Sequence, residues 1–221
     1  MNKNGFSLIE LSIVLIIIGL LIAGVSSGSK LIEQARVNKA VSALRDFKGS
    51  YLTFLLTYEK TPGDMNNAVE FFGATTADGG GNGQIEATAA ATSESLLAWQ
   101  HMSLAGVISG TFTQPADGIQ TAGTTGPKSA LNGACNAPLY NGTVTSNGLQ
   151  VGTDNNSIDC SATTALLAGT VYKIDNKIDD GIANSGEILA TSADAACQTS
   201  GTYDLDATTK ACSFFYSFGD N

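Results

Sequence analysis

Apolar residues fill the start of the chain almost without interruption, from position 6 to position 25. The stretch 11–29 carries no charged residue. Because helical residues rise about 1.5 Å each, twenty of them span roughly 30 Å, the thickness of the hydrocarbon core of a bilayer. The pattern therefore predicts a membrane-spanning helix. A secretory signal peptide and a plain signal anchor are two simpler interpretations of the same run.

Beyond the apolar run the pattern acquires a helical period. Apolar residues recur every three or four positions over 37–58, and charged residues occupy the other side. Pro62 and Gly63 end the pattern. We therefore predict one continuous helix over 6–59, on the order of 80 Å long. Its first half would lie in a membrane or a filament core, and its second half would pack on a folded head.

Two short helices are predicted in the rest of the chain. Asp64 is placed to cap one that runs through positions 71–72. Thr92 or Ser93 is placed to cap a second over 94–108, where apolar residues recur at helical spacing.

Short runs of β-branched and aromatic residues predict strands at 170–174, 187–190 and 213–218. The segment 111–165 has a period too weak to assign. A long helix followed by a small antiparallel sheet with long loops makes the predicted fold class α+β.

The charge is distributed unevenly along the 221 residues. The formal net charge is −9, from 11 Lys and Arg against 20 Asp and Glu. Residues 1–60 hold seven basic and four acidic side chains, or +3, whereas residues 61–221 hold four basic and sixteen acidic ones, or −12. So acidic a head argues against nucleic-acid binding through bulk charge. The 43% of hydrophobic residues argues against charge-driven disorder.

A recognisable motif opens the apolar run. Glu10 lies within it, although a carboxylate in hydrocarbon costs about 2.5–3.5 kcal/mol and is not expected there without a partner. The string Gly5-Phe6-Ser7-Leu8-Ile9-Glu10-Leu11 follows a very short polar leader. It resembles the type III signal of type IV pilins and type II secretion pseudopilins, which has Gly before the cut, Phe after it and Glu five residues into the mature chain.

The resemblance implies a structural subunit that is not an enzyme. A prepilin peptidase would cut between Gly5 and Phe6 and methylate the new amino group. The subunit would then assemble into a type IV pilus-like filament (a fimbrium) or a type II secretion pseudopilus. Glu10 would pair with the amino group of Phe6 on a neighbouring subunit, because each charge compensates the other in an apolar environment.

A pilin-like domain organisation follows from the same resemblance: a leader at 1–5, a transmembrane or filament-core helix at 6–29, its amphipathic half at 30–60, and a periplasmic or extracellular head at 61–221. The protein would be a single-pass inner-membrane protein before assembly. Its implied partners are other pilin or pseudopilin subunits, the peptidase, the inner-membrane assembly machinery and membrane lipid. The alternative is a secreted or membrane-anchored calcium-binding or interaction domain that does not polymerise.

The four cysteines are Cys135, Cys160, Cys197 and Cys212. In a head that leaves the cytoplasm they predict two disulfides, with three possible connectivities. The sequential pairs 135–160 and 197–212 are the ones we expect. The absence of a C-x-x-C motif argues against a zinc ribbon or a redox site.

Two acidic turns are candidate calcium sites. The first places Asp78, Asn82, Gln84 and Glu86 around a run of glycines. It partly resembles the start of an EF-hand loop, but it lacks a ligand at the third position and the bidentate Glu at the twelfth.

The second acidic turn contains Asp175, Asp179 and Asp180, whose charges repel unless a cation or Lys177 neutralises them. For both turns the alternative is ordinary Asp- and Asn-rich turn chemistry on a solvated surface.

His101 is the single histidine and has no cysteine near it, so we interpret it as a structural residue. No nucleophile–base set, phosphate loop or cofactor motif is found.

Overall fold

A long helix dominates the fold. The computed structural model describes residues 7–88, 90, 92–114, 119, 121–153, 159–160, 165–192 and 194–219. Helix α1 (Leu8–Tyr58) is continuous over 51 residues, or about 76 Å. It ends at Glu59, which adopts a left-handed conformation and donates its N–H to the Leu55 carbonyl. The predicted long helix is confirmed, and its predicted first residue, Phe6, lies outside the described residues.

The two halves of α1 have different surroundings. Every large apolar side chain from Leu8 to Val25 is at least 46% exposed. Burial begins in the second half and follows one stripe, formed by Val37, Ala40, Val41, Leu44, Tyr51 and Phe54. Of the helices that the structure describes, α1 alone is long and apolar enough to cross a membrane. One half of the helix is therefore packed, and the other is exposed among the residues that the structure describes.

The described part of the head contains three short helices and two sheets. The helices are α2 (Ala68–Phe72), α3 (Glu94–Leu104) and α4 (Ala168–Ile178). The main sheet is antiparallel with the order β1-β2-β6-β3, from β1 (Ala134–Asn141), β2 (Ser146–Thr153), β3 (Ile188–Ala190) and β6 (Phe214–Ser217). A separate hairpin joins β4 (Gln198–Thr199) to β5 (Thr202–Tyr203). The α+β, pilin-like arrangement is thus confirmed.

The outer edges of the main sheet are not left open. On β1, Tyr140 donates its backbone N–H to the Ile85 carbonyl at 2.8 Å. On β3, Ala190 donates to the Ala183 carbonyl, also at 2.8 Å. Each outer strand therefore has a loop bonded along part of its exposed side.

The core lies between the packed half of α1, the sheet and α3. The ring of Tyr51 meets Phe218 with centroids 4.6 Å apart, and Phe47 meets Trp99 edge-on at 5.1 Å. The indole N–H of Trp99 donates to the Asn136 carbonyl on β1. Side chains on one stripe of α1 thus determine how α3 and the sheet come together.

One predicted strand is wrong: positions 170–174 lie inside α4. The run contains residues with high β propensity, but the buried residues of α4 recur at a helical interval: Ala168, Thr170, Val171, Ile174 and Asp175. Val171 and Ile174 belong to the same core cluster as Val37 on α1, so tertiary packing overrides local propensity. The strands predicted at 187–190 and 213–218 are confirmed as β3 and β6, and β1 and β2 lie in the segment that could not be assigned.

The predicted helices in the head need two corrections. The cap residue of α2 is Asn67, not Asp64, because the Asp64 carboxylate binds a loop elsewhere. Helix α3 starts after Ser93, as predicted, but it ends at Leu104. The chain turns away at Gly106, whose φ of +71° is one that glycine adopts without strain.

One disulfide ties a loop to strand β1, and the other joins the residue before β4 to the segment before β6. Cys135 bonds to Cys160 and Cys197 bonds to Cys212, which is the sequential connectivity. Cys135, Ala137 and Leu139 share one face of β1, and Cys160 packs on that face. Each loop closure stabilises the fold by about 3 kcal/mol on the chain-entropy model.

We predict that Gly148→Ala destabilises the head. A Cβ at this position on β2 would overlap the Tyr216 carbonyl oxygen and the Phe215 ring on β6. Overpacking of this kind costs about 1–3 kcal/mol. The measurement is chemical denaturation of the full chain in detergent, followed by the fluorescence of Trp99, the single tryptophan.

The matched control is Gly169→Ala in α4, where a Cβ meets nothing within 4 Å. We expect it to leave stability unchanged or to raise it by up to about 1 kcal/mol, from helix propensity. A Gly148→Ala variant as stable as its control would contradict the close packing of β2 on β6.

Candidate assembly site

Glu10 lies in the first turn of α1, on the exposed apolar half. Its Oε2 accepts a hydrogen bond from the backbone N–H of Ser7 at 2.8 Å. The structure has one salt bridge among the described residues, between Lys48 and Glu187 at 2.9 Å. Glu10 therefore has a local hydrogen-bond donor but no described counter-charge. Gly5 and Phe6 lie outside the described residues, so the cleavage site stays a prediction.

The surface around Glu10 is apolar on all sides of the helix. A helix of this kind is stable in water only when something covers it, and the usual covers are lipid and other protein segments. Glu10 is the single charge on this surface between position 8 and position 29. The apolar half of α1 is thus suited to insertion in a membrane or to packing on other helices, and it has one charged position.

The backbone N–H groups of the first acidic turn donate to two carboxylates, Asp64 and Glu94, that lie outside the turn in sequence. Asp64 accepts hydrogen bonds from the N–H groups of Asn82 and Gly83, at 2.9 and 2.7 Å. Glu94, in the first turn of α3, accepts from Gly80 and Glu86, at 2.6 and 2.9 Å. Burial is the main cause that raises the pKa of Glu94, and the nearby Asp64 adds to it.

Three of the predicted calcium ligands of this first turn accept hydrogen bonds from N–H groups of the protein. Asp78 accepts from the N–H of Val69 at 2.9 Å, and Asn82 accepts from that of Gln84 at 2.8 Å. Glu86 accepts from the Asn82 side-chain amide at 3.2 Å. Sequence reasoning missed the central role of Glu94, although an acid in the first turn of a helix is a visible signal. Calcium at this turn stays a prediction.

The second acidic turn brings its carboxylates together. One oxygen each from Asp175, Asp179 and Asp180 lies within 4.8 Å of the others. Lys177 does not neutralise them, since it has no salt bridge to a described carboxylate. Within the part of the chain that the structure describes, the carboxylates of the first turn are not gathered this closely.

Asp175 is the buried member of this cluster. It accepts hydrogen bonds from the Tyr203 hydroxyl at 2.8 Å and from the Gly181 N–H at 3.1 Å. Burial raises the pKa of Asp175 to about 6, with a smaller contribution from the charges of Asp179 and Asp180. Tyr203 gives no sequence signal for this role, because it lies 28 positions away on another element.

The other two carboxylates are bound by their own loop. Asp179 accepts from the N–H groups of Glu187 and Ile188. Asp180 accepts from the Ile182 N–H at 2.8 Å and the Ser185 hydroxyl at 2.7 Å.

His101 is a structural residue, buried at 0% exposure. Its Nδ1 accepts from the Gly63 N–H, and its Nε2 lies 3.1 Å from the Ala77 carbonyl. Because a carbonyl only accepts, Nε2 carries the hydrogen and the ring is neutral. Burial lowers the pKa of His101 to about 4. The ring thus joins the turn after α1 to the glycine-rich loop.

Comparison with known proteins identifies the N-terminal segment. Residues 1–26 match the family model of the prokaryotic N-terminal methylation motif, which is the signature of type IV pilins and pseudopilins. No curated protein and no solved structure matches the chain. The motif supports a type IV pilin-like prepilin subunit in general terms, a class that assembles with other pilin subunits and whose role is structural. The apolar helix and the motif also fit a membrane-anchored protein.

We predict that acidification destabilises the head through His101. The unfolded chain takes up this proton near pH 6.5 and the folded chain only near pH 4. The contribution of neutral His101 to the free energy of unfolding is therefore complete above pH 6.5. Up to about 3 kcal/mol of it is lost as the pH falls from 6.5 to 4. His101→Gln keeps an acceptor and a donor but does not titrate, so its unfolding free energy should lack this loss.

Asp175 has the opposite effect on how stability changes with pH, because its raised pKa favours the folded state at low pH. It is present in both proteins, so the difference between their pH profiles isolates His101. Parallel profiles for wild type and variant would overturn the neutral, buried assignment.

The predicted calcium site at the second turn can be tested by thermal unfolding. Millimolar calcium must raise the melting temperature of the full chain, because a cation that binds only the folded state stabilises it. Asp180→Asn must lower this gain, whereas Asp206→Asn, a change at an exposed aspartate elsewhere, must leave it intact. Equal shifts in all three proteins would exclude calcium at this turn.

Proposed function

We propose that the chain is a prepilin subunit that is cut between Gly5 and Phe6, N-methylated, and assembled into a type IV pilus-like filament or a type II secretion pseudopilus. Before assembly it is a single-pass inner-membrane protein with its head in the periplasm. The observation that carries the proposal is the exposed apolar half of α1, which begins in the methylation motif and bears one carboxylate.

The continuity of α1 supports a retained anchor over a removed signal peptide. The helix runs unbroken from its exposed apolar half into the stripe that begins at Val37 and packs on the head. Cleavage near Ser26, as by an ordinary signal peptidase, falls inside this one helix. A cut before Phe6 leaves the anchor attached to the packed half.

The position of Glu10 supports assembly over a permanent monomeric anchor. A lone carboxylate is costly in lipid, and the amino group that cleavage creates at Phe6 is a cation at a similar depth. When two helices lie side by side in a suitable stagger, the two charges compensate each other. The same pair is not formed by an isolated subunit, so it favours subunits in register.

We expect Glu10→Val to abolish incorporation into filaments while leaving membrane insertion intact. The change removes the charge that a neighbouring amino terminus would pair with and makes the apolar surface continuous. The measurement is the amount of subunit in sheared filaments and in the membrane fraction, from cells that supply the peptidase and assembly machinery. Glu59→Gln, at an exposed carboxylate at the other end of α1, is the control and should assemble normally.

Mass spectrometry of the mature protein tests the processing step. We expect an N-terminal N-methylated Phe6, and a terminus near Ser26 would overturn the proposal. Normal filaments from Glu10→Val would contradict the pairing role, and membrane protein that never enters filaments would favour the non-polymerising alternative.

A further inference from the structure

A groove lies where the packed half of α1 begins. Its volume is about 560 Å³, and Lys30 on α1 faces it together with Lys173 and Lys177 on α4. A second cavity beside it, of about 290 Å³, is lined by Arg36 and Lys210 among others. We call Lys30, Lys173 and Lys177 the lysine cluster. Lys173 and Lys177 are four residues apart on α4, so they project from the same face of that helix.

The charge of the lysine cluster is opposite in sign to the net charge of the head. Residues 61–221 contain only four basic side chains, and three of them, Lys173, Lys177 and Lys210, line these two cavities. None of the acidic residues that the structure describes in that region lines either cavity. The one acid present is Glu33 on α1, which accepts a hydrogen bond from the Thr170 hydroxyl at 2.9 Å. A strongly acidic head thus presents a basic surface at one place.

The charges of the lysine cluster have no ion-pair partner in the part of the chain that the structure describes. All three side chains are exposed, and none forms a salt bridge to a described carboxylate. The single described salt bridge involves Lys48, further along α1. The groove therefore has positive charge available for an external anion.

The position of the groove along α1 places it near the surface of the membrane. About twenty residues of α1 from Leu8 fill the roughly 30 Å of hydrocarbon, and the headgroup layer adds about 5–8 Å on each side. Lys30 is the first charged residue after the uncharged stretch 11–29, and the groove begins beside it at Ser29. With α1 inserted, the groove opens at the level of the lipid headgroups.

We propose that Lys30, Lys173 and Lys177 bind the phosphate of an anionic phospholipid headgroup in the leaflet beneath the head. The inference rests on the proposed insertion of α1. Three ammonium groups and one carboxylate, Glu33, give the groove a net positive charge, which is opposite in sign to that of a phosphate. The groove is also continuous with the surface that lipid already covers. The contact holds the head against the membrane until the subunit leaves for a filament, when the lipid is released.

Lipid retention by the full chain tests this assignment. Native mass spectrometry in neutral detergent counts bound phosphatidylglycerol and phosphatidylcholine across a titration. The test variant is Lys30→Gln with Lys173→Gln and Lys177→Gln. The control carries Lys39→Gln, Lys60→Gln and Lys128→Gln, which make the same change of charge at exposed positions outside the groove.

We expect wild type and control to retain phosphatidylglycerol in preference to phosphatidylcholine. Each lysine at a membrane surface strengthens the attraction about fivefold, so the test variant should bind phosphatidylglycerol on the order of 100-fold more weakly. Millimolar inorganic phosphate should not displace the lipid, and displacement would identify a free-phosphate site instead. Equal loss in both triple variants, or equal retention of the two lipids by wild type, would overturn the inference.

Two further outcomes separate this inference from its alternatives. If the test variant binds phosphatidylglycerol normally but loses cross-links between subunits in filaments, the groove serves an acidic neighbouring head and the lipid assignment is wrong. If wild type fails to float with phosphatidylcholine vesicles, the proposed anchoring fails, and the inference fails with it. Flotation without any preference between the two lipids overturns the inference alone.

Discussion

Helix α1 satisfies its backbone hydrogen bonds along its whole length, whereas its side chains find partners in the head along only half of it. A helix tolerates this imbalance because its polar backbone groups need no external donor or acceptor. The apolar side chains from Leu8 to Val25 still require a cover. Lipid and other subunits supply that cover equally well, so the same surface suits both insertion and assembly. The head adds a second requirement, because its packing fixes the direction in which the helix leaves it.

The head is organised by contacts with the packed half of α1. Tyr51 and Phe47 determine where the sheet and α3 lie, and the Lys48–Glu187 ion pair joins α1 to the segment that leads into β3. Loops rich in glycine fill the remaining space. They are held by carboxylates such as Asp64 and Glu94, which accept backbone N–H groups that a regular strand or helix would otherwise satisfy.

The long helix was predictable from the sequence because its signals are local. A run without charge, then a period of three to four residues, then Pro62 are all visible without knowledge of the fold. The charge of Glu10 inside the apolar run is visible in the sequence for the same reason, whereas its pairing role stays a prediction. The strands β1 and β2 were not predictable, because they contain Asn, Gly and Ser and are largely buried by distant elements.

Long-range partners explain the failures. The residues at 170–174 have strand propensity, but the surface of α1 selects their helical stripe. Asp64 resembles a helix cap by its position, but loop amides 18 and 19 residues away compete for it successfully. The pairing of Asp175 with Tyr203 depends on the hairpin coming to rest against α4, which no short pattern encodes.

The loops along the two outer strands have a consequence for crowded arrays of this protein. Identical heads held at high local concentration could join edge to edge through exposed strands, which is a common route to aggregation. The bonds from Tyr140 to Ile85 and from Ala190 to Ala183 occupy donors on both outer edges of the sheet. Strand addition between neighbouring heads is thereby hindered at the positions of these two bonds, and the exposed apolar half of α1 is left as the surface that still needs a cover.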